Sequence, residues 1–177
     1  NNIQCFNFGC SNEDKTALLY SISTNRGGSF ISSEEKEGET EKIEVKPLDA
    51  TLQDIDNVGL IKIDVEGHEY KVLEGAEKTI KDNMPIILFE QHENDFSDNS
   101  SPSIEFLRRV GYKNFASLKK FPRVKGNFFK QLIFNPMLVL LFGDQTRIEL
   151  VKNIVPDFYE FIIALPDWFP LKNKEIE

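Results

Sequence analysis

Cysteine is scarce: the 177 residues include two, Cys5 and Cys10. So few exclude a disulfide-built scaffold and any metal site of paired-cysteine spacing. If both lie on one strand, their odd and even positions point to opposite faces, so they do not bond within it. A reducing, cytoplasmic setting is the expectation. Histidine is equally rare, with only His68 and His92. His68-Glu69 lacks the second histidine four residues on that a zinc-binding helix needs, and no Walker or G-x-S-x-G motif is present. Positive charge is in deficit, 21 Lys and Arg against 29 Asp and Glu, for a net charge of -8. An acidic chain repels phosphate backbones, which excludes nucleic acid as the expected partner. No apolar run is long enough to span a bilayer. No basic stretch followed by an apolar one opens the sequence, so no signal peptide is expected in it.

What remains describes a globular protein. Hydrophobic residues make up 40% and charged residues 28%, which fits a packed domain rather than a disordered chain. The length predicts one domain, 1–177, with a core that needs neither disulfides nor metal. Fifteen phenylalanines point to an aromatic-rich core or pocket. The basic residues gather late, at Arg108, Arg109, Lys113, Lys119, Lys120, Arg123, Lys125 and Lys130. They form either a solvated face or a patch toward an anionic substrate or membrane surface.

Along the chain, strands are expected at Ile3–Gly9, Thr16–Ile22 and Lys42–Leu48, the last from its alternation. Asn25-Arg26-Gly27-Gly28-Ser29 reads as a loop, and the acidic stretch 32–42 as exposed. Val58–Val65 is a compact apolar run. Glu69–Asn83 follows with helical spacing, Val72, Leu73, Ala76 and Ile80 sharing a face. Ile86–Phe89 is apolar without alternation, which suggests a strand buried on both faces and closed by Glu90. Ser101-Pro102 opens a helix that Gly111 ends. Tyr112–Leu118 and Phe158–Leu165 are further strands. Strand, helix, strand, helix, strand predicts an α/β fold with a mostly parallel sheet. The apolar segment Phe128–Phe142, broken by Asn135-Pro136, is too short for a membrane span. It reads as a buried core or lid element, or as a surface for a membrane or partner.

In open α/β sheets ligands bind beyond the carboxyl ends of the strands. That rule selects Asp64, Glu66, Gly67 and His68 after one apolar run, and Glu90, Gln91, His92 and Glu93 after the next. Asp64 either caps the following helix or serves a site. Glu66 has the same two readings. His68 titrates near neutrality and suits a general base, or simply faces solvent. Glu90 is a base, a hydroxyl acceptor, or a partner of the neighbouring loop. Asp64, Glu66, His68, Glu90 and His92 have ligand chemistry, but no specific metal spacing, so no metal is expected.

The run Ile61-Lys62-Ile63-Asp64-Val65-Glu66-Gly67-His68-Glu69, followed by Val72-Leu73-Glu74-Gly75-Ala76, resembles the FkbM family of methyltransferases. Val45-Lys46-Pro47-Leu48-Asp49 upstream, the small-residue loop Gly27-Gly28-Ser29, and Pro85-Ile86-Ile87-Leu88-Phe89-Glu90 downstream agree in order. The resemblance covers roughly Ile3 to Phe115, and Phe158 to Pro166 more loosely; 128–154 has no counterpart and reads as an insertion or lid. It implies a class I, Rossmann-like sheet with an antiparallel last strand, S-adenosylmethionine as cofactor, and O-methylation of a sugar or natural-product hydroxyl. Cys10, Ser11 and Asp64 would then face the cofactor. Asp64, Glu66, His68 and Glu90 would stand at the transfer centre, where a hydroxyl attacks the sulfonium methyl in line. The family's glycine-rich first motif and the acidic residue after its second strand belong before the third strand, where this sequence opens. The expectation is therefore a fragment, inactive alone, with unpaired strand edges. The alternative is a non-catalytic binding or assembly module that uses a sheet edge and 128–142, with a homo-oligomer as one outcome. A glycosyltransferase or nucleotide-sugar enzyme with a similar sheet is a third, less favoured reading.

Overall fold

The computed structural model describes residues 2–22, 25–32, 39–52, 55, 57–97, 100–121 and 145–171. Two sheets organise them. The first has strand order β1-β4-β2-β3, where β1 is Gly9–Cys10, β2 Lys15–Ile22, β3 Asn25–Ser32 and β4 Glu39–Lys46. The second runs β5-β6-β9-β7-β8, with β5 at Leu60–Ile63, β6 at Ile86–Gln91, β7 at Asn114–Phe121, β8 at Gln145–Leu150 and β9 at Tyr159–Leu165. Four α-helices accompany them among the described residues: α1 (Leu48–Thr51), α2 (Glu69–Glu74), α3 (Glu77–Asn83) and α4 (Pro102–Val110). The class is α/β, but the expected mostly parallel sheet is not what forms. Among the described residues only β1–β4 and β5–β6 pair in parallel, and the remaining pairings are antiparallel. β2 and β3 follow one another directly, which allows antiparallel pairing without a crossover, and β4 pairs antiparallel on the other side of β2.

Other departures have local causes. Asn25–Ser29 lies within strand β3 rather than a loop: Tyr20 and Phe30 stand opposite each other in the ladder and stack at 5.7 Å. Of the expected strand Ile3–Gly9 only Gly9 pairs, extended by Cys10, and Ile3 is exposed. The expected helix Glu69–Asn83 is two helices. At the break, Gly75 lies so close to the chain after β1 that a Cβ there would sit 1.9 Å from the Ser11 carbonyl oxygen. The Gly75 carbonyl accepts from Asp49 N at 2.9 Å. Asp49 in turn caps α3, its two carboxylate oxygens each accepting a backbone N–H, from Lys78 and Thr79, at 2.8 Å. Val72, Leu73, Ala76 and Ile80 are nonetheless all buried, as their spacing predicts.

The core lies on one face of β5 and β6, where Ile63, Ile87 and Phe89 pack with Leu73 and Ile80 from α2 and α3 and with Leu107 from α4. On the other face of β6, half-buried Ile86 and Leu88 pack against Ala116, Ile163 and Leu165. The second face of this strand is thus covered less completely than its apolar sequence suggests. Ser101 caps α4, accepting from Ile104 N at 3.2 Å, and Gly111 ends it at φ +119°. Tyr112 donates to the Pro85 carbonyl at 2.5 Å, fixing the entry to β6.

Of the late basic residues, Arg109 stacks on Phe106, Arg108 lies over Phe115, and Lys113 pairs with Asp167 at 2.8 Å. Arg123, Lys125 and Lys130 lie outside the described residues, as do Phe128–Phe142 and residues 33–38 of the acidic stretch. The tail of the expected insertion 128–154 forms β8, an edge strand on β7. Among the described residues no helix is long and apolar enough to cross a membrane.

Candidate active site

Because β5 and β6 run parallel, their carboxyl ends open on the same edge. Asp64 follows β5 directly. It does not cap α2, whose N-cap residue is His68. Its carboxylate pairs with Lys62 at 2.5 Å, both side chains about half exposed. The chain then turns through Glu66 at φ +48° and Gly67 at φ +87°. A left-handed conformation is easy for Gly67 and strained for Glu66. Glu69 supports this turn: its buried carboxylate reaches back to accept from Gly67 N at 3.2 Å. Burial pushes its carboxyl up from the ordinary value, opposed by hydrogen bonds from the backbone of Glu69, Gly67 and Val65. The sequence reading did not single out Glu69. The available signal was a carboxylate in the first helical turn, two residues after a glycine, where it can reach back to the free N–H groups.

The turn brings Glu66 to β6. The ligand atoms of Glu66, Glu90 and His92 all lie within 4.8 Å of one another. His92 Nε2 stands 3.5 Å from Glu90 Oε1. Burial, above all, raises the Glu90 carboxyl; the nearby His92 opposes this, while the charges of Glu66, Asp64 and Glu69 add to it. The exit of β6 is held firmly. Asp95 Oδ2 accepts from both His92 N and Gln91 Nε2 at 2.8 Å, and Ser101 donates to Gln91 Oε1 at 2.7 Å. The His92 ring also packs on Phe158, centroids 5.2 Å apart.

His68, the other histidine, goes elsewhere. Only 8% exposed, it meets the fully buried Ser11, Nε2 to Oγ 3.0 Å. Burial pushes its imidazole down from the ordinary value, and the charges of Lys71 and Lys15 push in the same direction. The loop after β1 is further tied to α2 by Asn12, which donates to Glu74 at 3.1 Å. Ser11 and His68 line one cavity of about 490 Å³ together with Gly67, Lys15 and Lys71. Cys10 and Asp64 line a separate groove of about 630 Å³ with Phe6, Phe8 and Val65. Burial raises the Cys10 thiol. The residues selected from the sequence therefore fall into three groups: Cys10 with Asp64, Ser11 with His68, and Glu66 with Glu90 and His92. Asp64 links the first and third, since its charge acts on Glu90.

Acidic and imidazole groups thus gather at the exits of a parallel strand pair, the edge at which open α/β sheets bind ligands. The family model of the methyltransferase FkbM domain matches residues 2–113, and the chain belongs to the FkbM methyltransferase family. The match takes in Cys10, Ser11, Asp64, Glu66, His68, Glu90 and His92, and stops before β7. No curated protein and no solved structure matches the chain.

Proposed function

We propose that the protein acts in S-adenosylmethionine-dependent O-methylation of a sugar or a natural-product-like small molecule. The observation that carries this reading is the convergence of Asp64, Glu66 and Glu90 at the shared exit of β5 and β6, within the span of the family match. The strand order β5-β6-β9-β7, with β9 antiparallel to β6, supports a class I methyltransferase sheet in which β5 and β6 are the fourth and fifth strands and β9 the last. The groove beside Asp64 suits the cofactor in size and lining, with the rings of Phe6 and Phe8, the Cys10 thiol and a carboxylate. When bound, S-adenosylmethionine supplies an electrophilic methyl group on a sulfonium centre. Asp64 offers its carboxylate to the positive or hydroxyl-bearing parts of the cofactor. Glu66 and Glu90 orient the acceptor hydroxyl and draw its proton away. A carboxyl held up by burial accepts a proton more readily than an ordinary one, which suits Glu90. Ser11 and His68 fix the loop that carries Cys10. The free thiols of Cys5 and Cys10 suit a reducing, cytoplasmic setting.

Incubation of the complete gene product with methyl-labelled S-adenosylmethionine and a panel of sugars tests the reading. Label in base-stable ethers is the expected result, with Glu90→Gln lowering turnover about 10²-fold or more. Absence of transfer to any hydroxyl contradicts it.

One observation favours a second reading, assembly through a sheet edge. Among the described residues β5 has a strand partner on one side only, and Leu60 on it is exposed. A concentration-dependent dimer that Leu60→Lys dissociates would support that reading.

A further inference from the structure

We propose that Glu66, Glu90 and His92 form a site for one divalent cation of the Mn²⁺ type. Their ligand atoms, two carboxylate oxygens and one imidazole nitrogen, all lie within 4.8 Å of one another. Ligands bound to one ion at about 2.2 Å stand up to about 4.4 Å apart, so small side-chain rotations close the set. The donors come from separate parts of the chain, the strained turn after β5 and the end of β6, and converge only through the fold. Asp64 next to them has Lys62 as counter-charge. Among the described residues no lysine or arginine ion pair reaches Glu66 or Glu90. Two carboxylates without a cationic side chain, joined by an imidazole, make a mixed oxygen and nitrogen set that suits Mn²⁺, Fe²⁺ or Zn²⁺ better than Mg²⁺ or Ca²⁺.

The segment that carries Glu90 and His92 is held in place. Ligand-bearing segments are held by outer hydrogen bonds, and here Asp95 fixes the His92 backbone and the Gln91 side chain at 2.8 Å each. Three protein ligands leave coordination positions open. The consequence for chemistry rests on reading this cluster as the acceptor end of the active site. A hydroxyl bound at an open position would lose its proton more easily, and the carboxylate oxygen of Glu90 not bound to the ion would take that proton.

The test is titration of Mn²⁺ into the complete gene product without S-adenosylmethionine, with free Mn²⁺ followed by electron paramagnetic resonance. One bound ion is expected. Glu66→Gln, Glu90→Gln and His92→Gln should each weaken binding by tenfold or more, and Asp82→Asn should not; circular dichroism confirms that each variant is folded. Absence of Mn²⁺ binding to the folded protein, or binding that none of the three substitutions weakens, overturns the proposal. Binding that depends on the three residues, together with methyl transfer unaffected by chelation, would uphold the site and overturn its role in the reaction. Binding with no methyl transfer under any condition would uphold the site and count against the methyltransferase reading instead.

Discussion

Single residues explain why the family motif has the composition it has. Gly75 is required by space: its Cα faces the Ser11 carbonyl, and a Cβ would stand at 1.9 Å from that oxygen. Gly75→Ala must push the β1 exit away from α2, and overpacking of this kind costs about 1–3 kcal/mol. Urea denaturation should show a lower midpoint. His68 gives a pH signature. Its folded-state value is depressed below the ordinary 6.5, chiefly by burial. The unfolded chain therefore binds this proton first, and stability is lost as pH falls from about 6.5 toward the folded value. Glu69 and Glu90, raised by burial, work in the opposite direction, so the effect is read as a difference. Wild type should lose stability relative to His68→Asn over that window when unfolding is followed at several pH values; parallel curves would contradict it. From the sequence, His68 and Glu90 were visible as titratable groups near strand exits. That His68 would turn to Ser11, and His92 to Glu90 and Glu66, was not, because the turn that Glu69 supports and the β6 exit that Asp95 holds form only in the fold.

At the scale of elements, the periodicity of Val72, Leu73, Ala76 and Ile80 located the buried helical face correctly, while the break at Gly75 escaped it. Both α2 and α3 keep the same face to the core, so the hydrophobic pattern runs unbroken through the interruption. The break is legible only once the β1 exit is known to cross there. Asp49 is the element-level counterpart. A carboxylate from before β5 caps a helix 30 residues later, and its removal exposes two N–H groups. Asp49→Ala should cost about 1 kcal/mol, again read from denaturation, with Asp82→Asn on the same helix as the near-neutral comparison. Strand β3 shows the reverse error. Its glycines and polar residues read as a loop, but the ladder with β2 and the Tyr20–Phe30 stack override local preference.

For the whole molecule, the alternation of strands and helices gave the α/β class, and the order of the apolar runs located β5, β6 and β9. It did not give the proportion of antiparallel pairing. Apolar content reports burial, whereas direction depends on which strands become neighbours. Among the described residues two sheets form rather than one, and the only parallel pairs are β1–β4 and β5–β6. The candidate site residues follow those two pairs: Cys10 and Ser11 close the first, and Asp64, Glu66, Glu90 and His92 surround the end of the second. We propose that this edge serves methyl transfer, with the groove beside Asp64 as the cofactor's place. It is tested most directly by calorimetric titration of S-adenosylhomocysteine into the complete gene product and its Asp64→Ala variant. The expected result is saturable one-to-one binding that the substitution weakens about tenfold or more, as loss of a charged hydrogen-bond partner does. No binding to the folded wild-type protein, or equal binding to both, would contradict it.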